Sequence, residues 1–349
     1  MVGPGLTAQG FMSDWIIPRG THFFNSPIVM SGQSGVTWRG YGGSQISRLV
    51  YIGPSTKTFL QIAGSSRCLL KDFEICIASP GVEYAVLQTN LPGGGHLSTN
   101  NVVDNVRVVH GGKPTAADYC FGIDSTAIGG IDANNDHHKF TRCFAGSYQK
   151  AGYKINGTQV HQIVYEQCLS HDHGGRGGIG WDAMRGVYFT LRDCGGNSND
   201  IDIHIGAAMV NILVQNWNSE NAKQFIVGET AGETFEKIDT VRWEGKPVAG
   251  LPVIDCIGPG PRTLSNALIS GINGICPQIR IRDNNLLSLG SLDFSGVMIR
   301  QHLGTVPATP LVSIPAHHSS RFYNVKHQRI NENDSRTNTP VAVNTPQTA

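Results

Sequence analysis

The chain has 349 residues, of which 15% are charged and 43 are glycine, and its formal net charge is +1. Few charges and many glycines exclude a protein of long solvated helices, since glycine costs roughly 1 kcal/mol in a helix interior, and favour turn-rich β structure. The small net charge excludes a general attraction to nucleic acid or anionic membrane, and no apolar run reaches the ~18 residues of a membrane-spanning helix.

Residues 1–14 read as an N-terminal lead-in. Met1 to Met12 lacks the basic-then-apolar pattern of a secretion signal. Residues 15–328 read as one β domain built from a repeat. Leu70-Lys-Asp-Phe73 and Val103-Asp-Asn-Val106 are early, loose copies. Phe140-Thr-Arg-Cys143, Tyr165-Glu-Gln-Cys168, Leu191-Arg-Asp-Cys194 and Val214-Gln-Asn-Trp217 follow at spacings of 25, 26 and 23. After each comes a turn rich in Gly, Ser or Asn, then a second short apolar run, as in Gly152-Tyr-Lys-Ile155 and Asp200-Ile-Asp-Ile-His-Ile205. Further copies are expected near Leu264 to Ile269, Leu287 to Phe294 and Arg321 to Val325. Alternating runs this short cannot bury a face alone, so the repeat predicts a solenoid of stacked strands. Residues 329–349, rich in Asn, Thr, Pro and Ser, read as a flexible or partner-docked tail.

Stacking piles equivalent side chains into columns about 4.8 Å apart. Cys143, Cys168 and Cys194 are expected to form one such column and to fill the interior as small apolar groups. The eight cysteines contain no CxxC pair, which argues against a zinc ribbon.

The opening Ile17-Pro-Arg-Gly-Thr21, Pro27-Ile-Val-Met30 and Ser34-Gly-Val-Thr-Trp-Arg-Gly-Tyr-Gly42 resembles the first coils of pectate-lyase-like right-handed parallel β-helices. That superfamily includes polysaccharide lyases, hydrolases and phage tailspikes. The resemblance covers roughly residues 15–330 and implies the all-β fold, a polysaccharide partner and side-by-side homotrimers. Such proteins usually carry a glycine-rich strand and a capping helix before the Ile-Pro signature; only about sixteen residues precede it here, so the N-terminal end of the solenoid is expected to be either truncated or capped by a partner. Asn197-Ser-Asn-Asp-Ile-Asp-Ile203 also resembles the Asn-Thr-Asp motif of polygalacturonase-type hydrolases, without the Gly-His-Gly that should follow.

Residues 170–182, SHDHGGRGGIGWD, concentrate reactive groups. Gly175-x-Gly177-x-x-Gly180 spells a dinucleotide fingerprint, which works only between a strand and a helix. Here a strand follows, so the glycines read as corners with positive φ. His171-Asp172-His173 places two imidazoles on one side of an extended segment, with His161 or His204 as a distant third ligand for zinc. Asp132-Ala-Asn134-Asn-Asp136 begins like an EF-hand loop, but His137 stands where glycine is needed and Cys143 where the glutamate belongs. No cofactor is assigned, calcium being the weak candidate.

Stacked turns would bring Tyr148 and Lys150 beside His171, Asp172, His173 and Arg176, then Asn197, Asn199, Asp200 and Asp202, then Glu220 and Lys223, with Tyr153 and Trp181 nearby. Such a column suits sugar, whose hydroxyls need donors and acceptors and whose apolar face stacks on aromatics. Carboxyls one coil apart (Asp172 with Asp200) approach the separation of a retaining glycosidase, and those two coils apart (Asp172 with Glu220) that of an inverting one. A lyase would instead use His171 or His173 as base and Arg176 to neutralise charge. The expectation is a polysaccharide-binding β-helix of tailspike or depolymerase type at a virion surface or outside the cell, with cleavage by a lyase or hydrolase route left open. The rival is a non-catalytic β-helix of a large assembly.

Overall fold

Short strands recur along the chain, and each pairs in parallel with its counterpart one repeat later. The computed structural model describes residues 14–94, 97–111, 115–129, 132–172, 178–229, 235–257, 263–282, 291–302, 310–314, 319–330, 336–340 and 343–344. Within them the chain forms a parallel β-helix of about 10 turns, each of about 26 residues.

Three parallel sheets run along it. The first passes through Asp14–Ile17, Thr37–Gly40, Leu69–Lys71, Val102–Asp104, Lys139–Thr141 and His161–Glu166. The second takes Gly20–Phe24, Ser47–Tyr51, Glu74–Ile77, Arg107–His110, Phe144–Gly146, Leu169–His171 and Gly195–Asn197. The third takes Ile28–Ser31, Thr56–Ala63, Val82–Thr89, Tyr119–Asp124 and Ala151–Asn156. The longer strands Ile179–Arg192 and Ile201–Glu220 bend round corners and serve more than one sheet.

The register is the one the repeat predicts. Leu70, Val103, Phe140, Tyr165, Leu191 and Val214 are successive partners on the first sheet. A single residue with positive φ then turns the chain onto the second sheet: Asp72, Asn105, Arg142, Gln167, Asp193 and Asn216 all adopt it. Asn and Asp are the non-glycine types that accept this region most readily. The bend aims the following side chain inward, so Phe73, Val106, Cys143, Cys168, Cys194 and Trp217 are buried in one column.

Cys143, Cys168 and Cys194 are stacked, since the amide of Leu169 donates to the Cys143 carbonyl at 2.9 Å and that of Gly195 to the Cys168 carbonyl at 3.1 Å. All eight cysteines are free thiols. Burial pushes the Cys143 and Cys194 thiols up, so they behave as neutral filler. Beside them the rings of Phe121, Tyr153 and Trp181 stack at 5.2 and 4.7 Å, and Phe140 stacks on Tyr165 at 4.8 Å.

Part of the stretch expected to be a tail is strand. Arg336–Pro340 pairs antiparallel with Lys326–Ile330, and Val343–Asn344 pairs with Val312–Ser313. Pairing of this kind uses the main chain, so a segment poor in apolar side chains still takes part. Residues 1–13, within the expected lead-in, lie outside the described residues.

Candidate functional site

The column of turns forms, but its side chains divide between outside and inside. His171, Asn197 and Glu220 are register partners at the end of the second sheet and point toward solvent. The next residues carry the corner, where Ser147, Ser198 and Asn221 have φ near +60°. That bend turns Tyr148 and Asn199 inward, and both are buried. Lys150, Asp200 and Lys223 lie outside again, with Lys223 Nζ 2.6 Å from Asp200 and Lys150 Nζ 2.8 Å from Asp118. His173, Arg176, Gly175 and Gly177 lie outside the described residues.

Six expected positions therefore need correction, the buried Asn199 and Asp172 among them. Tyr148, Tyr153 and Trp181 cannot stack on a sugar from outside, because their rings are core with no exposed surface. Asp202 is also fully buried. The carboxylate pairs considered for a glycosidase do not converge either, since Asp172 is buried while Asp200 and Glu220 face out. The zinc ligands are likewise separated: His161, His171 and His204 sit on three different sheets. Among the described residues no cluster of three metal-ligating side chains occurs. Asp132 serves Ser125 and Thr158, and Asp136 the amide of His161.

Asp202 anchors an internal polar network. Asn199 Nδ2 donates to its Oδ1 at 2.8 Å and to Ser170 Oγ at 3.0 Å, while Trp243 Nε1 donates to its Oδ2 at 3.1 Å. Ser219 donates to Oδ2 as well, and Tyr148 closes the set by donating to Asn199 Oδ1. Burial pushes the Asp202 carboxyl up to about 7 against these favourable donors. Gly180 is explained here too. It has no positive φ; a Cβ on it would lie 2.7 Å from Ser170 Oγ and 2.9 Å from Asn199 Nδ2. The glycine makes room for the network rather than turning a corner.

The reactive cluster sits elsewhere, on the outward face of the third sheet. Tyr153, Trp181, Ile203 and Ile226 are register partners pointing inward. Strand alternation then sends the residues after them outward: Lys154, Asp182, His204 and Val227. Lys154 Nζ pairs with Asp182 Oδ2. His204 Nδ1 lies 2.7 Å from Asp182 Oδ1, and its Nε2 lies 3.1 Å from Glu229 Oε1. The Lys154, Asp182 and His204 side chains are only 12%, 10% and 10% exposed, whereas Glu229 is 58% exposed.

The electrostatics follow from that arrangement. Burial alone would lower the His204 pKa, but Asp182 and Glu229 outweigh it and hold the imidazole above its ordinary 6.5. Burial alone would raise Asp182, but hydrogen bonding from His204 and the charge of Lys154 hold it low. The protonated imidazole has a donor on each ring nitrogen, so in that form His204 can serve both carboxylates at once.

An aromatic platform adjoins the cluster. Tyr84 and Tyr119 are stacked with centroids 5.0 Å apart, and Lys154 Nζ and Lys150 Nζ lie 5.4 and 5.7 Å from the Tyr119 centroid. Gly122 permits it, because a Cβ there would meet the Tyr84 ring at 2.4 Å. Asp124 accepts from the amides of Thr126 and Ala127 and so folds Ala127 over Tyr84 and Leu87. Tyr119 is partly buried, and burial together with the Asp182 charge pushes its hydroxyl up to about 12.

Sequence reasoning gave no role to Lys154, Asp182 and Glu229, and considered His204 only as a distant zinc ligand. The signal was available for three of them: once Tyr153, Trp181 and Ile203 share an inward column, their successors must share the outward one. Glu229 lies just past the end of the strand Gln224–Gly228, two residues beyond the outward Val227.

No family model matches the chain, and no curated protein is similar to it in sequence. Solved structures are similar in fold. A tailspike of an Acinetobacter phage superposes with a TM-score of 0.53 at 10% identity, over 96% of this chain and 61% of that one. The catalytic unit of a thermostable GH87 alpha-1,3-glucanase from Streptomyces thermodiastaticus gives 0.52 at 10% identity, over 96% of this chain and 62% of that one. A GH87 alpha-1,3-glucanase catalytic domain in complex with nigerose gives 0.53 at 12%, over 95% and 63%. The chain spans about three-fifths of the length of these structures. At such identities the likeness is one of fold: the chain is a parallel β-helix of the kind these proteins contain.

Proposed function

We propose that the chain binds a polysaccharide along the outward face of its third sheet and cleaves it at the Lys154–Asp182–His204–Glu229 cluster. One observation carries the reading: three charged side chains stand at about a tenth exposure on the outside of a solenoid, with a fourth beside them. Desolvating charges is costly even when they are paired, and perturbed ionisable groups gather at functional sites. The adjoining Tyr119, half-buried and backed by the buried Tyr84, offers stacking surface to a pyranose ring. The glycan-processing and tailspike proteins of similar fold, and the pectate-lyase-like opening coils, fit the same reading.

Within the cluster His204 donates its Nε2 proton to the departing glycosidic oxygen once Glu229 yields to substrate, and a water that gives up a proton to Glu229 adds to the anomeric carbon. Asp182 orients the imidazole through Nδ1, and Lys154 stabilises negative charge that develops on the substrate. The outward groups His171, Asn197, Asp200, Glu220, Lys150 and Lys223 border the same face as hydrogen-bonding positions. A glycan target places the chain at a virion surface or outside the cell. The homotrimer implied by the family resemblance belongs to this reading as well.

The test is incubation with a panel of bacterial capsular and plant polysaccharides, followed by reducing-end release and ultraviolet absorbance of unsaturated products. His204→Ala should abolish, and Asp182→Asn strongly reduce, whichever signal the native chain gives while preserving its circular dichroism. Full activity in both variants would overturn the assignment. Absence of binding and cleavage across the panel would favour the assembly role.

A further inference from the structure

Beyond Val227 the outward column of the third sheet continues with Asp255, Arg280 and Ser313. Asp255 is buried and accepts from two arginines at once. Arg280 donates through Nε at 3.0 Å and Nη2 at 2.7 Å, and Arg282 through Nε and Nη2 at 3.1 Å each. Two guanidinium groups on one carboxylate leave a net positive charge, and the remaining amino group of each is not engaged by Asp255. Elsewhere along this face Lys150 and Lys223 each have a carboxylate of their own. Arg280 also lines a cavity of about 580 Å³, together with Gln278, Ser313, Leu251, Pro252 and Pro310. Both arginine side chains remain about two-fifths exposed.

The geometry points to a subsite for an anionic sugar at Arg280 and Arg282, which makes the substrate an acidic polysaccharide; this deepens the function proposed above and rests on it. Arg280 follows His204 by three turns, or about 14 Å along the solenoid axis. A sugar unit in an extended glycan advances by a length similar to one turn. A chain lying over the cluster therefore reaches the arginine pair with a unit about three positions from the one at His204. Planar guanidinium edges match a carboxylate or sulfate better than an ammonium does, and the cavity gives the ring room.

The experiment measures binding by calorimetry of a uronate oligosaccharide and a neutral gluco-oligosaccharide of equal length, at low and high salt. The native chain should prefer the uronate at least about tenfold, the scale of one charge-assisted hydrogen bond, and lose that preference in high salt. Arg280→Gln should remove most of the preference, and Arg282→Gln part of it. Asp255→Asn, which raises the local positive charge, should strengthen uronate binding. Equal binding of both oligomers, or a preference untouched in all three variants, would overturn the acidic-subsite assignment alone if His204→Ala still abolishes cleavage. Binding of neither oligomer would overturn it together with the function on which it rests.

Discussion

Asp202→Asn separates a buried structural acid from a catalytic one by the pH dependence of stability. In the folded chain burial pushes this carboxyl up to about 7; in the unfolded chain it titrates near the ordinary 3.8. Between those values the folded state keeps a proton that the unfolded state has released. The stabilisation from this group is therefore complete below about pH 4 and is lost as pH rises through about 7. At 1.36 kcal/mol per pH unit the interval is worth about 4 kcal/mol. For 349 residues, at roughly 2.1 cal/mol/K each, that corresponds to about 5 °C in Tm. Asparagine does not titrate, so the variant lacks this contribution at every pH. Thermal unfolding of both proteins, followed by circular dichroism from pH 4 to 8, should show the native chain losing about 5 °C relative to the variant across the range. Parallel Tm curves would refute the reasoning, because Asp202 would then be ionised in both states.

Three further outcomes follow from the same geometry. Cleavage should fall as pH rises past the elevated pKa of His204, and Asp182→Asn should move any residual activity limb to lower pH, since it removes the main partner that elevates it; an unmoved limb would mean another group titrates. Gly196→Ala would set a Cβ 2.1 Å from Asp202 Oδ1, so urea denaturation should show a loss of about 3 kcal/mol, as for overpacked cores; an unchanged midpoint would show that the network yields. Asp200→Asn breaks an ion pair whose partners are 47% and 30% exposed, so its effect on stability should stay under about 1 kcal/mol; a shift several times larger would make Asp200 a structural turn former.

The solenoid was legible in the chain because its signal is repetition. Phe140, Tyr165, Leu191 and Val214 recur near one spacing, and backbone pairing forces what recurs into register. The site was only partly legible. The turns at 147–150, 171–172, 197–200 and 220–223 were correctly expected to stack. Their side chains were all assigned outward, although one residue with positive φ at each corner reverses the next side chain, as at Ser147 before Tyr148 and Ser198 before Asn199.

By itself, the order of residues determined that this chain stacks strands, which positions share a column, and that cysteines fill the interior. Only the tertiary structure decided which polar groups meet. Lys154, Asp182, His204 and Glu229 come from four separate turns, and the carboxylates that elevate His204 against its burial meet it only when all of those turns are wound together. Column membership follows from local backbone geometry, whereas charge burial and pKa depend on everything packed around a group.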